Sequence, residues 1–158
     1  MVHIRKVKKY EETMLHNLMQ FYIYEFSKYI SEIKLEEDCT YKPFELSLYW
    51  EEKTHHAYFI CLDAEIIGFA LIENSKEINT ILEFFILAGY QGKRFGKVAA
   101  RKLFEAFDGY RSVSQIEKNQ PAQNFWWNMI SDITNGEMEE VYSKGKYIQT
   151  FHSNSLSK

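Results

Sequence analysis

Proline, glycine and cysteine are all scarce in this chain, which has two prolines, seven glycines and two cysteines in 158 residues. Such a composition excludes collagen-like and low-complexity organisation, and no Pro- or Gly-rich linker divides the sequence. Two cysteines make no disulfide scaffold, and Cys39 and Cys61 are spaced for neither a metal knuckle nor a redox pair. No metal site is expected. Long apolar runs are missing too, since none approaches the roughly 20 residues of a membrane span. The basic start, Met1 to Tyr10, leads into an amphipathic segment rather than the apolar core of a signal peptide. Basic charge is not in excess: 19 Lys and Arg stand against 22 Asp and Glu, for a net charge of −3. A dedicated nucleic-acid binder would carry a basic stripe instead. These absences leave one cytoplasmic domain, over residues 1–152, with a polar tail at 153–158 expected to fray.

What is abundant is aromatic side chain, at 16% of residues, so packing should rely on large rings. Val2 to Val7 reads as a short strand. Leu15, Leu18, Met19, Tyr22, Phe26 and Ile30 then recur at three- and four-residue spacings, the mark of a long amphipathic helix. Phe21, Tyr24 and Tyr29 lie off that stripe and are available to a cleft, a partner or a second copy of the chain. Lys42-Pro43 reads as the start of a short second helix, because proline is tolerated in a first turn. Ala57 to Leu62 and Ile66 to Ile72 form a hairpin around Asp63-Ala64-Glu65. Ile81 to Leu87 reads as a central strand buried on both faces. Phe95 to Ala106 is a helix, Ser112 to Ile116 a strand, Pro121 onward a helix, and Val141 to Ile148 a final hairpin. The order β-α-α-β-β-β-α-β-α-β-β predicts an α/β fold in which helices cover a mixed sheet.

One segment carries chemistry. Ile86-Leu87-Ala88-Gly89-Tyr90-Gln91-Gly92-Lys93-Arg94-Phe95-Gly96-Lys97 is a buried strand, a glycine-containing turn and a helix start. A helix N-terminus presents unpaired N–H groups and partial positive charge, which suit a pyrophosphate. Gly92 and Gly96 would let the backbone come close, and Lys93, Arg94, Lys97 and Arg101 would supply local positive charge. The segment is not a P-loop, because three residues separate the two glycines and Val98 follows Lys97; nor does it open on the Gly-x-Gly of a dinucleotide fingerprint. Taken alone, it reads equally as a plain strand-to-helix turn with solvated charges.

The surrounding sequence resembles the GNAT superfamily of acetyltransferases over nearly the whole chain. The family's motif is Arg or Gln, two residues, Gly, one residue, then Gly or Ala. Gln91 and Gly96 match it, with Arg94 in place of the middle glycine. Asn119 and Ala122 match the Asn and Ala that follow the family's fifth strand, and Phe125-Trp126 is similar to a subgroup of predicted acetyltransferases. The resemblance implies acetyl-CoA as co-substrate and an amine as acceptor. It also implies that the fourth and fifth strands splay apart and that the pantetheine arm hydrogen-bonds to the backbone exposed there. By position, Ile86 and Leu87 would offer those bonds. Gln91, Gly92, Lys93, Arg94, Phe95, Gly96 and Lys97 would cradle the pyrophosphate, and Asn119 and Phe125 would border the thiol end.

Amine acetylation needs a neutral nucleophile and hence a base. Glu83 and Glu117 both fall near the implied splay. Glu83 sits in an apolar run where desolvation would raise its pKa, and it also reads as a plainly paired carboxylate. His55-His56 reads as a solvated junction, because adjacent strand residues point to opposite faces. Cys61 has no histidine placed to activate it, so direct attack in a ternary complex is expected rather than a covalent intermediate. The alternative is a noncatalytic acyl-CoA-binding or regulatory module of the same fold. The acceptor's identity is not written in any motif.

Overall fold

The structure, a computed structural model, describes residues 1–157. Its elements are β1 (Val2–Lys6), α1 (Glu12–Phe26), α2 (Leu48–Glu51), β2 (His55–Leu62), β3 (Glu65–Ser75), β4 (Ile78–Ile86), α3 (Phe95–Glu105), β5 (Tyr110–Ile116), α4 (Gln120–Thr134), β6 (Glu139–Ser143) and β7 (Lys146–His152). The expected element order is present. The strands form one sheet in the order β1-β2-β3-β4-β5-β7-β6. Every neighbouring pair is antiparallel except β4 and β5, which run parallel because α3 carries the chain back across the sheet between them.

Side-chain alternation along the central strands builds a core on each face of the sheet. Phe69 and Leu71 of β3 pack with Leu15, Met19 and Tyr22 of α1. Ala70 and Ile72 of the same strand pack with Leu103 and Phe104 of α3 and Met129 and Ile130 of α4. Gly68 is required between the two layers, since a Cβ there would stand 2.0 Å from the Phe85 carbonyl oxygen. The entry to α1 is fixed electrostatically: Glu11 accepts from the Lys8 N–H at 3.0 Å and from Arg5 at 2.8 Å.

Three expectations need correction. Lys42-Pro43 does not open a helix; α2 begins at Leu48. Phe44 is half-buried and Leu46 buried while Glu45 between them is exposed, so packing imposes a two-residue period and an extended chain. The tail does not fray over its described part. Ser157 N–H donates to the Ile133 carbonyl at 2.6 Å, its carbonyl accepts from Arg101, and Leu156 packs on the core. Finally, β4 is not buried on both faces along its length, for Leu82 is 38% exposed. Among the described residues no helix is long and apolar enough to cross a membrane. Phe21 and Tyr24 are exposed on α1.

Candidate active site

β4 and β5 pair only from Ile78↔Tyr110 to Ile81↔Val113. The separation starts at a bulge: Ile72 pairs with Ile81 and Leu71 with Glu83, leaving Leu82 as the extra residue. A bulge bends and twists its strand. Past it, β4 stays with β3, while β5 follows β7 as far as Ile116↔Lys146. The gap holds a cavity of about 180 Å³ whose walls include Phe84, Gln115, Asn119 and Trp126.

The register decides which backbone groups face this gap. Leu87 N–H donates to the Ile67 carbonyl at 2.8 Å, so residue 87 bonds toward β3. Antiparallel ladders alternate, so Ile86 and Phe84 present their N–H and C=O groups to the open side. The Ile86 carbonyl accepts from the Gln91 side chain at 2.7 Å. Leu87 therefore does not offer the bonds expected of it, since its carbonyl also accepts from Tyr90 N–H at 2.9 Å. Phe84, one alternation step from Ile86, also turns its backbone to the open side.

The turn after β4 enters α3 through two left-handed residues, Gly92 at φ 75° and Arg94 at φ 67°. Arg94 is the N-cap of α3, and the conformation that a glycine adopts freely costs an arginine about 1 kcal/mol. The first N–H groups of α3, at Phe95, Gly96 and Lys97, have no partner within the helix. Lys93 and Arg94 are exposed beside them, and Lys97 lies 3.7 Å from Asp132. Arg94, Lys97 and Arg101 border one cavity together with Asp132, and the Arg101 guanidinium is also held by Glu105 at 2.7 Å and by the tail. A Cβ on Gly96 would lie 3.4 Å from the Phe125 ring and 3.6 Å from Ile86. A single methyl would thus make ordinary contact there, and a larger side chain would press on the Phe125 ring, which stacks on Phe84 at 6.1 Å. Asn119 caps α4, accepting from Ala122 N–H at 3.2 Å, and lines the splay cavity. Trp126, buried and edge-on to Phe84, lines it too.

Glu83 points to the other face of β4, toward α1. Its Oε2 accepts a hydrogen bond from the Tyr22 hydroxyl. Tyr22 is buried among Phe26, Phe69 and Phe85 at ring distances of 4.8, 5.3 and 5.7 Å. Burial raises the Glu83 pKa above the ordinary carboxylate range, opposed by the Tyr22 hydrogen bond and the charge of Lys146. Burial, then the Glu83 charge, pushes the Tyr22 phenol well above its usual value. Tyr22 is therefore a neutral donor and Glu83 is the group that titrates. The sequence hid Tyr22, because a phenol on an apolar helical stripe reads as one more core ring. Glu117 is placed elsewhere. It is exposed in the turn beyond β5, accepts from Tyr142 at 2.5 Å and is absent from the cavity wall.

A second cavity, of about 400 Å³, lies between α1 and the segment that follows it, and meets the splay cavity at Tyr22, Phe26 and Glu83. His55 and His56 are half-buried in β2 and serve neither cavity. No cluster of three or more His, Cys, Asp or Glu able to hold a metal occurs among the described residues.

The sequence pattern of the acetyltransferase (GNAT) family matches residues 15–129. Compared with curated protein sequences, the chain matches none. Solved structures share its fold. An acetyltransferase from Thermus thermophilus is 16% identical with a TM-score of 0.69, the match covering 96% of both chains. The PaiA N-acetyltransferase from Thermoplasma acidophilum, solved in complex with coenzyme A, is 12% identical with a TM-score of 0.66, over 96% of this chain and 99% of that one. A spermidine N-acetyltransferase chimera from Vibrio cholerae and hSSAT is 12% identical with a TM-score of 0.65, over 99% of both. At these identities the structural likeness shows the fold alone.

Proposed function

Because the chain belongs to the GNAT acetyltransferase family, we propose that it transfers an acetyl group from acetyl-CoA to a primary amine by direct attack in a ternary complex. The observation that carries this reading is the junction of two cavities at Glu83: one in the gap where β4 and β5 part, the other walled mainly by apolar side chains. The amide-rich arm of acetyl-CoA fits the first, with bonds to Phe84 and Ile86 replacing the missing strand. The pyrophosphate fits the N-terminus of α3 beside Lys93 and Arg94. Gln91 holds the end of β4 through the Ile86 carbonyl rather than by touching phosphate.

In this reading Glu83 is the base. An ammonium acceptor loses a proton to the Glu83 carboxylate, directly or through one water, and its nitrogen lone pair attacks the thioester carbonyl. The tetrahedral adduct then expels the CoA thiolate, which needs no strong acid, since a thiol pKa is about 8.5, and the surplus proton on the amide nitrogen passes to the thiolate through solvent to give the free thiol. Tyr22 keeps Glu83 in place with its hydroxyl and stays protonated throughout. Tyr142 and Tyr147 pack on each other at 5.3 Å outside the splay cavity wall and are not needed.

Release of free CoA thiol from acetyl-CoA in the presence of a panel of primary amines tests the reading. Thiol release that depends on amine, with N-acetylamine formed in equal amount, is the expected result. Tight binding of acetyl-CoA with no transfer to any amine would show instead the noncatalytic module.

A further inference from the structure

The second cavity specifies its occupant more closely than the word amine does. Its apolar walls come from Phe26 and Ile30 at the end of α1 and just past it, and from Tyr41 and Phe44 opposite. Its charged lining, besides Glu83, is Glu32, Lys34 and Lys42. Two carboxylates and two ammonium groups cancel, so the walls offer no surplus negative charge to a polycation. The volume of about 400 Å³ lies within the range of roughly 300–1,000 Å³ usual for small-molecule sites.

The direction of entry is fixed as well. Among the described residues only Tyr22, Phe26 and Glu83 border both cavities, so the nitrogen of an acceptor must lie at that end to reach a thioester in the splay. The remainder of the acceptor then lies mainly among rings and branched aliphatic side chains, where an apolar body is favoured, while a second cation would face Lys34 and Lys42 as well as Glu32.

The outer wall is built in advance. Residues 35–41 form a small flap closed by a bridge between Leu35 and Tyr41. Gln20 on α1 grips the flap from both sides of its amide: Nε2 donates to the Tyr41 carbonyl at 2.9 Å, and Oε1 accepts from the Tyr41 N–H at 2.8 Å. Two hydrogen bonds from one side chain thus set where the Tyr41 ring stands.

Resting on the acetyltransferase reading above, we infer that the acceptor is a small monoamine with an apolar, ring-bearing or branched body, enclosed by the Tyr22–Phe26–Phe44–Tyr41 wall, and that Gln20 is a positioning residue for its selection. Polyamines and lysine side chains of peptides are disfavoured by the same wall.

The experiment compares amine-dependent thiol release by the full chain with 2-phenylethylamine, spermidine and a lysine-containing peptide. The expected result is kcat/KM for 2-phenylethylamine at least about tenfold above either of the others, the scale on which apolar pockets discriminate. A smaller margin, or a preference for spermidine or the peptide, would overturn the inference and leave the transferase reading standing. No turnover with any amine would remove both. In Gln20→Ala, KM for 2-phenylethylamine should rise about tenfold, the order of two lost hydrogen bonds, while kcat and acetyl-CoA affinity hold. Unchanged KM, or kcat and affinity falling with it, would deny Gln20 that role.

Discussion

The two halves of the β4–β5 strand pair make opposite use of one piece of sheet. From Ile78 to Ile81 the pair is closed, and its backbone runs in register with β5 from Tyr110 to Val113. Asn79 donates to the Asp108 carbonyl at 2.8 Å, and the buried Arg111 guanidinium gives its N–H groups to the Phe104 and Gly109 carbonyls. Arg111 is 1% exposed and has no carboxylate in its grip; it caps the C-terminus of α3, where carbonyls lack partners and a cation is favoured. Past the Leu82 bulge the situation reverses. Phe84 and Ile86 turn their backbone away from β3, and Glu83 is desolvated beside the Tyr22 hydroxyl and within reach of the Lys146 charge. One bulged residue separates a half closed by strand pairing from a half where β4 and β5 part and side chains of Gln91 and Tyr22 reach the β4 groups.

Substitutions on either side of the bulge should therefore differ in kind. The largest effect belongs to the open half. Glu83→Gln keeps the shape and removes the base, so turnover should fall by about 10²–10⁴-fold with acetyl-CoA affinity unchanged. The wild-type rate should rise with pH through an ionisation above the usual carboxylate range, with no falling limb from Tyr22, whose pKa is raised far out of reach. The same residue gives a stability signature of the opposite sign. A carboxyl whose folded-state pKa is raised contributes stability at acid pH that is lost as pH rises through that pKa. Glu83→Gln should thus gain thermal stability relative to wild type as pH rises through the Glu83 ionisation. A variant that loses rate and stability together would erase the distinction between the halves.

In the closed half, Arg111→Met should lower unfolding stability by about 2–4 kcal/mol in denaturant titration, because it strands buried carbonyls. Acetyl-CoA affinity measured well below the transition should hold. A selective loss of affinity would make the closed half part of the site. The smallest effects sharpen the boundary at α3. Gly96→Val should press on Phe125 and reduce acetyl-CoA affinity by at least tenfold, for overpacking costs about 1–3 kcal/mol. Lys93→Ala should weaken it less and reduce its salt dependence, as expected for an exposed charge.

Much of the closed half and little of the open half could be read from sequence. The helix periods, the two hairpins and the glycine turn are local patterns, and they gave the element order and the N-terminus of α3. The bulge left no local mark, because Ile81-Leu82-Glu83 continues a run that looks like uninterrupted strand. Without the bulge the alternation phase of β4 is not legible, and position alone does not show that Leu87 bonds toward β3 while Phe84 faces the gap. Tyr22 was legible as buried but not as bonded to Glu83, 61 residues away. Phe44 and Leu46 likewise take their extended form from the cavity wall and core that they reach, contacts that no window around Pro43 contains.

The central claim is that the backbone of β4 past Leu82 is completed by acetyl-CoA, and residue-resolved amide hydrogen exchange tests it most directly. Without ligand, the Phe84 and Ile86 amides, which face the gap, should exchange much faster than that of Leu87, which is bonded to Ile67. Saturating acetyl-CoA should slow Phe84, Ile86 or both, together with the Phe95 and Gly96 amides at the start of α3. The paired segment from Ile78 to Ile81 should change little. Protection that appears elsewhere while Phe84 and Ile86 keep their fast exchange would contradict the account.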